Sequence, residues 1–365
     1  MYLFFLFPLL YIVWLEILGI EWCKKIAEEK TLNYTTLISV VVAVRNEETQ
    51  IDSLVNILIK QNYPASLVEI IFVDDHSTDN TISKLKNYNE IVVLQNIGEG
   101  KKNAITTALN HSQAELIVTT DADCEMGPNW LSTLVDLYIQ KNAAMVCGPV
   151  KLKKNKTNSA FLYQLQTFEF HSLIEMSAAY IKRKQPFTCN GANLAYKRSL
   201  FFEVGGYHDN KNIASGDDEF LMHKLANKGP IVFAQNKDAI VTTQSVSTFT
   251  QYFEQRIRWA SKHKLYKKHY QITALYLVAI NHLVSMGAIV LMLSGYYTIY
   301  MLLFFLVKTF FEFRYIHNIH QFYQLPISII YLLLFQFVYP FIVTYIAIRS
   351  NFYGYEWKGR KIINQ

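Results

Sequence analysis

Apolar residues fall in two textures along this chain: near both ends they run together, and from about Thr36 to Lys268 they are mixed with polar residues. Within the mixed part, Leu37–Val44, Glu69–Val73, Ile91–Leu94, Glu115–Val118 and Ala144–Val150 read as short buried strands rich in β-branched side chains. Glu48–Lys60, Asp79–Asn87, Lys101–Ser112 and Asn129–Gln140 have the length and periodicity of helices. Strands alternating with helices predict βαβ units, hence an α/β fold around a mostly parallel sheet with right-handed crossovers.

The apolar runs predict something else. Tyr2–Ile20 is almost wholly apolar and matches the ~20 residues a bilayer crossing needs. No basic stretch precedes it and no small-residue cleavage site follows, so an uncleaved anchor fits better than a removed leader. The pattern returns at Ile272–Leu293, Tyr297–Phe311 and Ile327–Ile348, with Ser294 and Gly295 as a tight connection between the first two. The expected organisation is an N-terminal anchor over 1–22, a cytoplasmic domain over 36–268, a transmembrane region over 269–350 and a basic tail over 351–365.

Charge orients these segments. Lys24 and Lys25 follow the first run, and Arg256, Arg258, Lys262, Lys264, Lys267 and Lys268 precede the second. The excess of cations beside spans on the cytoplasmic side predicts a multi-pass protein of the inner (cytoplasmic) membrane with its α/β domain in the cytoplasm. Three C-terminal crossings would, however, leave Arg349, Lys358, Arg360 and Lys361 on the opposite side. Either one apolar segment is re-entrant or lies in the interface, with Pro340 a candidate break in the last, or the tail defies the bias. The formal charge of +6 gathers at these flanks and suits anionic head groups. No nucleic-acid motif accompanies it, so nucleic acid is not an expected partner. Cys23, Cys124, Cys147 and Cys189 lack metal-type pairing and read as free thiols.

Chemistry concentrates at strand ends, where open α/β sheets place their ligands. Arg45, Asn46 and Glu47 follow the first strand, Asp74 and Asp75 the second, and Asp121 and Asp123 the fourth. Paired carboxylates repel unless a cation lies between them, and Mg²⁺ or Mn²⁺ carrying phosphates answers that need; a solvated acidic turn is the bland alternative. Asp79 and Ser77 are better read as caps of the next helix. The stretch NIGEGKKNA (96–104) lacks P-loop spacing, which leaves Lys101 or Lys102 as a possible phosphate or base contact. Further on come CNGANLAYKR (189–198), SGDDEFLMHKL (215–225) and QRIRW (255–259). Asp217, Asp218 and Glu219 exceed what a helix N-terminus requires. Gln255, Arg258 and Trp259 share one helical face, as an aromatic platform beside a cation for a sugar and a phosphate, or as a snorkelling interfacial helix.

VDDHSTD, DAD, GDDE and QRIRW, in this order and between apolar spans, resemble the membrane-embedded members of glycosyltransferase family two, the relatives of cellulose, hyaluronan and poly-N-acetylglucosamine synthases and of ceramide glucosyltransferase. The resemblance covers roughly Ile38 to Ala260. It implies a type A glycosyltransferase domain, Rossmann-like and flanked by transmembrane helices. It also implies inverting, metal-dependent transfer from a nucleotide sugar, usually UDP-linked, to a lipid or growing glycan. Carried over, Asp75 contacts the base, Asp121 the ribose and diphosphate region, and Asp123 the Mg²⁺ or Mn²⁺. Asp218 matches the catalytic base, while Gln255, Arg258 and Trp259 hold the diphosphate and shape the acceptor site. The family's Thr-Glu-Asp is here Gly216-Asp217-Asp218, which makes Asp217 the alternative base. Two rivals stand beside this reading: a processive polysaccharide synthase that also secretes its product, and a transporter whose α/β part senses nucleotide. The second would need polar residues inside the spans, for which Asn281, His282 and Lys308 are the candidates.

Overall fold

A computed structural model describes residues 2–24, 33–208, 216–352, 355–357 and 360–362. Lys25, Ser215 and Lys358, which entered the sequence reading, lie outside the described residues, as does much of the expected basic tail. The chain opens with α1 (Tyr2–Cys23) and β1 (Ile38–Val44), then α2 (Ile51–Ile59), β2 (Val68–Asp74), α3 (Thr81–Leu85), β3 (Val92–Gln95), α4 (Lys101–His111) and β4 (Leu116–Asp121). There follow β5 (Glu125–Met126), α5 (Trp130–Gln140), β6 (Met145–Cys147), β7 (Val150–Lys153), α6 (Ala160–Lys182), β8 (Leu194–Lys197), α7 (Arg198–Glu203) and α8 (Asp217–Leu225). Last come β9 (Ile231–Phe233), β10 (Val241–Gln244), α9 (Phe249–Ala260), α10 (His269–Leu293), α11 (Thr298–Tyr323), α12 (Ile329–Phe352) and a terminal pair, β11 (Tyr355–Trp357) and β12 (Arg360–Ile362).

The main sheet has the order β3-β2-β1-β4-β8-β6-β9. Its first four strands are parallel, and β6 and β9 are parallel to each other. The expectation of a mostly parallel sheet meets one exception, because β8 inserts antiparallel between β4 and β6. Helices cover both faces, so the central strands are buried along nearly their whole length: Ile38 to Val42 and Leu116 to Thr120 are all buried. The strand expected over Ala144–Val150 divides at Gly148–Pro149 into β6 and β7. A Cβ on Gly148 would lie 2.1 Å from the Asn193 amide, while Asn193 itself accepts from Trp130 Nε1 and donates to the Pro149 and Ala239 carbonyls. Strand β7 then joins β5 and β10 in a second, three-stranded sheet.

Long helices pack beside this core. By length and composition α1 (from Leu6), α10 and α12 are apolar enough to cross a membrane, and α11 continues to Tyr323, well past the expected end at Phe311. Helix α6, unanticipated in the sequence, starts at Ser159, whose hydroxyl accepts from Leu162 N–H at 3.1 Å. Exposed Leu10, Val13 and Ile17 on α1, Leu283 and Val290 on α10, and Leu302, Leu306 and Phe310 on α11 form an apolar exterior. The two ends of α12 both meet the α/β part: Tyr331 packs on Phe161 of α6 at 6.2 Å between ring centres, and the Asn351 carbonyl accepts from Lys264 Nζ at 3.0 Å. The four cysteines are free, as expected.

Candidate active site

The ends of β1, β2 and β4 converge on one cavity of about 1110 Å³. Its walls include Arg45, Glu47, Asp75, Lys101, Asp121, Asp123, Asp217, Asp218, Gln255, Arg258 and Trp259. Asn46, Asp74 and Glu219 lie outside that lining; Asn46 has a structural role. In the left-handed region at φ 58°, it accepts through Oδ1 from Thr78 N–H at 2.8 Å, while its own N–H donates to Ser77 Oγ at 3.0 Å. It therefore pins the turn after β1 to the turn after β2. The N-cap of α3 is Asn80, with no side-chain cap bond; Asp79, one residue earlier, accepts from Thr81 N–H, the first residue of α3, and Ser77 does not cap it but accepts from Asn46.

Asp75 is fixed by the loop between β3 and α4, accepting from Asn96 Nδ2 at 2.7 Å and Gly100 N–H at 2.8 Å, with Arg45 Nη1 4.0 Å away. Register extends β4 to Asp121, opposite Ala43 of β1, so the strand itself delivers the acid pair. Lys101, first residue of α4 after the left-handed Gly100, places Nζ 2.5 Å from Asp121 Oδ1. Burial alone would depress Lys101, but Asp121, Asp217 and Asp218 outweigh it and hold the ammonium protonated well above its ordinary range. Asp123 accepts from Thr243 Oγ1 of β10 at 2.7 Å. Burial, followed by the Asp121 charge, raises its pKa all the same. The pair is thus short of positive charge on the Asp123 side, and a divalent cation there would meet that need. Among the described residues no third His, Cys, Asp or Glu completes a ligand group, so Asp121 and Asp123 suit a hard cation that takes its remaining oxygens from phosphate and water.

On the opposite wall, Gly216 caps α8 in the left-handed region at φ 85° and sets Asp217, Asp218 and Glu219 in its first turn. Asp218 accepts through Oδ2 from Gly191 N–H and through Oδ1 from Glu219 N–H, both at 2.8 Å. Burial raises its pKa, Lys262 opposes that, and the charges of Asp217 and Glu219 add to the rise. Fully buried Glu219 pairs with Lys262 at 2.7 Å. On α9, a capping box of Thr248 and Gln251 starts the helix, and Gln255, Arg258 and Trp259 share the cavity face as their spacing predicts.

Several lining residues escaped the sequence reading. Arg256 and Lys262, read as membrane-flanking cations, turn inward instead. Arg256 is 4% exposed, bonds Glu169 Oε2 through Nε at 2.5 Å, and lies 4.7 and 4.4 Å from the ring centres of Tyr252 and Trp259. Tyr339 of α12 donates to the other Glu169 oxygen at 3.0 Å. His282, Lys308, Glu312 and Gln336 also line the cavity, and of these only His282 and Lys308 drew notice as polar residues within apolar runs.

Residues 39–205 match the family described as Glycosyl transferase family 2. The chain carries a glycosyl transferase family 2 domain. The resemblance to this family is borne out over those residues, which include VDDHSTD and DAD. It is 27% identical over 236 residues to YdaM of Bacillus subtilis, named a probable glycosyltransferase, with 61% of this chain and 54% of that protein covered. It is 31% identical over 129 residues to a beta-monoglucosyldiacylglycerol synthase of Nostoc, with 33% of this chain and 27% of that protein covered. The chain thus spans about half or less of the length of these relatives. A mannosyltransferase of Pyrobaculum calidifontis, solved with GDP-Man and Mn²⁺, superposes with a TM-score of 0.59 at 19% identity over 96% of both chains. That likeness establishes the type A fold of the transferase domain together with its apolar helices.

Proposed function

We propose that this protein transfers a sugar from a nucleotide sugar, UDP-linked, to a lipid or glycan acceptor at the cytoplasmic face of the inner membrane, with inversion at the anomeric carbon. The observation that carries the reading is the single cavity whose walls hold the strand-end acids, the α8 acids and the α9 cation with its aromatic platform, and which continues among the apolar helices. Asp75 and Arg45 hold the base, Asp121 the ribose and diphosphate region, and Lys101 and Arg258 the diphosphate charge.

Inverting transfer requires one base and one leaving-group stabiliser. In this scheme Asp218 takes the acceptor hydroxyl proton, that oxygen bonds the anomeric carbon, and the bond to the diphosphate breaks with its electron pair leaving on the phosphate oxygen. Asp217 is the alternative base, one residue earlier. Mg²⁺ or Mn²⁺ on Asp121 and Asp123 would supply neutralisation of the departing diphosphate. The elevated pKa of Asp218 suits a group that must accept a proton. Exposed Lys24, Lys264, Lys267 and Lys268 support the cytoplasmic placement, and the return of α12 to the α/β part supports a tail on that same side.

A processive synthase is the second reading, favoured by the extension of the cavity into the helices. The test is to incubate the purified full chain with a panel of nucleotide sugars and total lipid extract, and to read released nucleotide and product mass. A single added sugar supports the main reading, a ladder supports the processive one, and no turnover of any donor defeats both.

A further inference from the structure

Helix α8 opens with three acids in a row, Asp217, Asp218 and Glu219, yet only the first two line the cavity. Glu219 is fully buried. A buried carboxylate needs a cation, and Lys262 supplies it at 2.7 Å, from the 3₁₀ turn Ser261–Leu265 that follows α9. Lys262 itself borders the cavity, while the carboxylate that holds its ammonium does not. Gly216 leaves room for the lysine stem: a Cβ there would lie 3.2 Å from Lys262 Cδ and 3.0 Å from the Phe220 ring.

Asp218, one residue before Glu219, is the next acid this ammonium meets, since after Glu219 it is the carboxylate that acts most strongly on Lys262. Asp218 is oriented by Gly191 N–H and Glu219 N–H at 2.8 Å each. For a base, a direct ion pair is a poor neighbour: the cation covers the oxygen that has to take the proton and stabilises its charged form. The other titratable groups whose charge bears on Asp218 are Asp217, Lys101, Lys102, Cys189, Tyr207 and Tyr266. Burial keeps the thiol and both phenols neutral, and Lys101 is tied to Asp121.

We propose that Glu219 is a positioning residue for the transfer: by engaging Lys262 it keeps that ammonium off Asp218 and leaves the base open to the acceptor hydroxyl. The proposal rests on the glycosyltransferase reading with Asp218 as base, and adds the residue that keeps the base accessible. Cohesion between α8 and the turn after α9 would also account for the pair, but the two roles part in their consequences. Cohesion treats both partners alike, whereas diversion makes Glu219 matter to the rate only while Lys262 is present.

The experiment compares Glu219→Gln, Lys262→Met and the double variant in the full chain, in phosphatidylcholine vesicles with total lipid extract and the nucleotide sugar that wild type consumes. Transfer is read per UDP-binding site counted by calorimetry, which corrects for any misfolded fraction. Glu219→Gln releases Lys262 to Asp218, so the rate should fall at least about tenfold and the acid limb of its pH profile should move down by about one unit or more. Lys262→Met strands Glu219 instead, yet its rate on the plateau above its limb should stay close to wild type. The double variant, with both charges gone, should recover most of the rate lost in Glu219→Gln. Should Glu219→Gln fail to fold, Glu219→Asp, which keeps the charge but shortens its reach, should slow transfer and shift the limb in the same direction. A rate loss in Lys262→Met as large as in Glu219→Gln, a double variant no faster than Glu219→Gln, or a limb that stays in place would overturn the proposal while wild-type turnover keeps the glycosyltransferase reading standing. If wild type consumes no donor, that reading falls and the proposal with it.

Discussion

Replacing Asp218 by Asn separates proton abstraction from binding. The side chain now accepts two backbone N–H bonds at 2.8 Å, from Gly191 and Glu219. An amide keeps one acceptor and turns an N–H₂ toward the other donor, so one bond is lost and a local cost of about 1–3 kcal/mol in stability is expected. Loss of the charge partly offsets this, because it removes the cost of burying a carboxylate and the repulsion from Asp217 and Glu219, against the lost attraction of Lys262. The rate should respond far more. Removing a general base costs ~10²–10⁴-fold, which at about 1.36 kcal/mol per decade is about 2.7–5.4 kcal/mol of transition-state stabilisation. UDP affinity, which the proposed scheme assigns to Asp75, Asp121 and Asp123 across the cavity, should change by less than about threefold, under 1 kcal/mol. Calorimetry with UDP and a single-turnover assay with labelled donor check both halves. Loss of UDP binding would move Asp218 to the donor side, and a larger rate loss in Asp217→Asn would shift the base by one residue.

Asp123→Ala should abolish transfer, and chelator should inactivate the native enzyme with Mg²⁺ or Mn²⁺ restoring it; full activity in excess chelator refutes the metal. Arg258→Lys keeps the charge but loses the planar fork, so activity should fall steeply, and a near-native rate would favour a role in membrane contact alone. The base works only when ionised, so the rate should decline as pH falls through the raised pKa of Asp218. Lys262→Met should push that acid limb to higher pH and Asp217→Asn to lower pH; coincident profiles would show that neither charge reaches the base. Arg256→Met leaves Glu169, whose side chain is 12% exposed, without its cation, and should lower stability by up to about 3 kcal/mol, read as a fall in thermal midpoint.

What the sequence showed and what it hid divide along a physical line. Strands β1, β2 and β4 were legible because their β-branched runs are buried on both faces, and the acids after them stood out against that background. Gln255, Arg258 and Trp259 of α9 were legible as a face because helical spacing alone aligns them. Strand β8 was not, since its antiparallel insertion depends on Asn193 locking β6, α5 and the Ala239 turn together over long sequence distances. Arg256 and Lys262 were misread because a cation's place in the sequence does not reveal whether it faces head groups or a buried carboxylate. The split at Gly148–Pro149 had a local signal in its dipeptide, but its steric reason lies in Asn193, the residue before β8.

The Glu169 contact also bears on how far the molecule can be divided. Its carboxylate is shared between Arg256 and Tyr252 of α9 and Tyr339 of α12, and Tyr323 at the end of α11 donates to the Val150 carbonyl while its own carbonyl accepts from Lys151. The boundary visible at Lys268 is therefore a change in composition and not a seam between separable bodies. A fragment cut there would lose a wall of the cavity and strip Glu169 of one donor. Soluble expression of residues 36–268 should yield a protein deficient in acceptor turnover, and grafting the helices of a relative onto this domain would require Tyr339 and Tyr323 to travel with them.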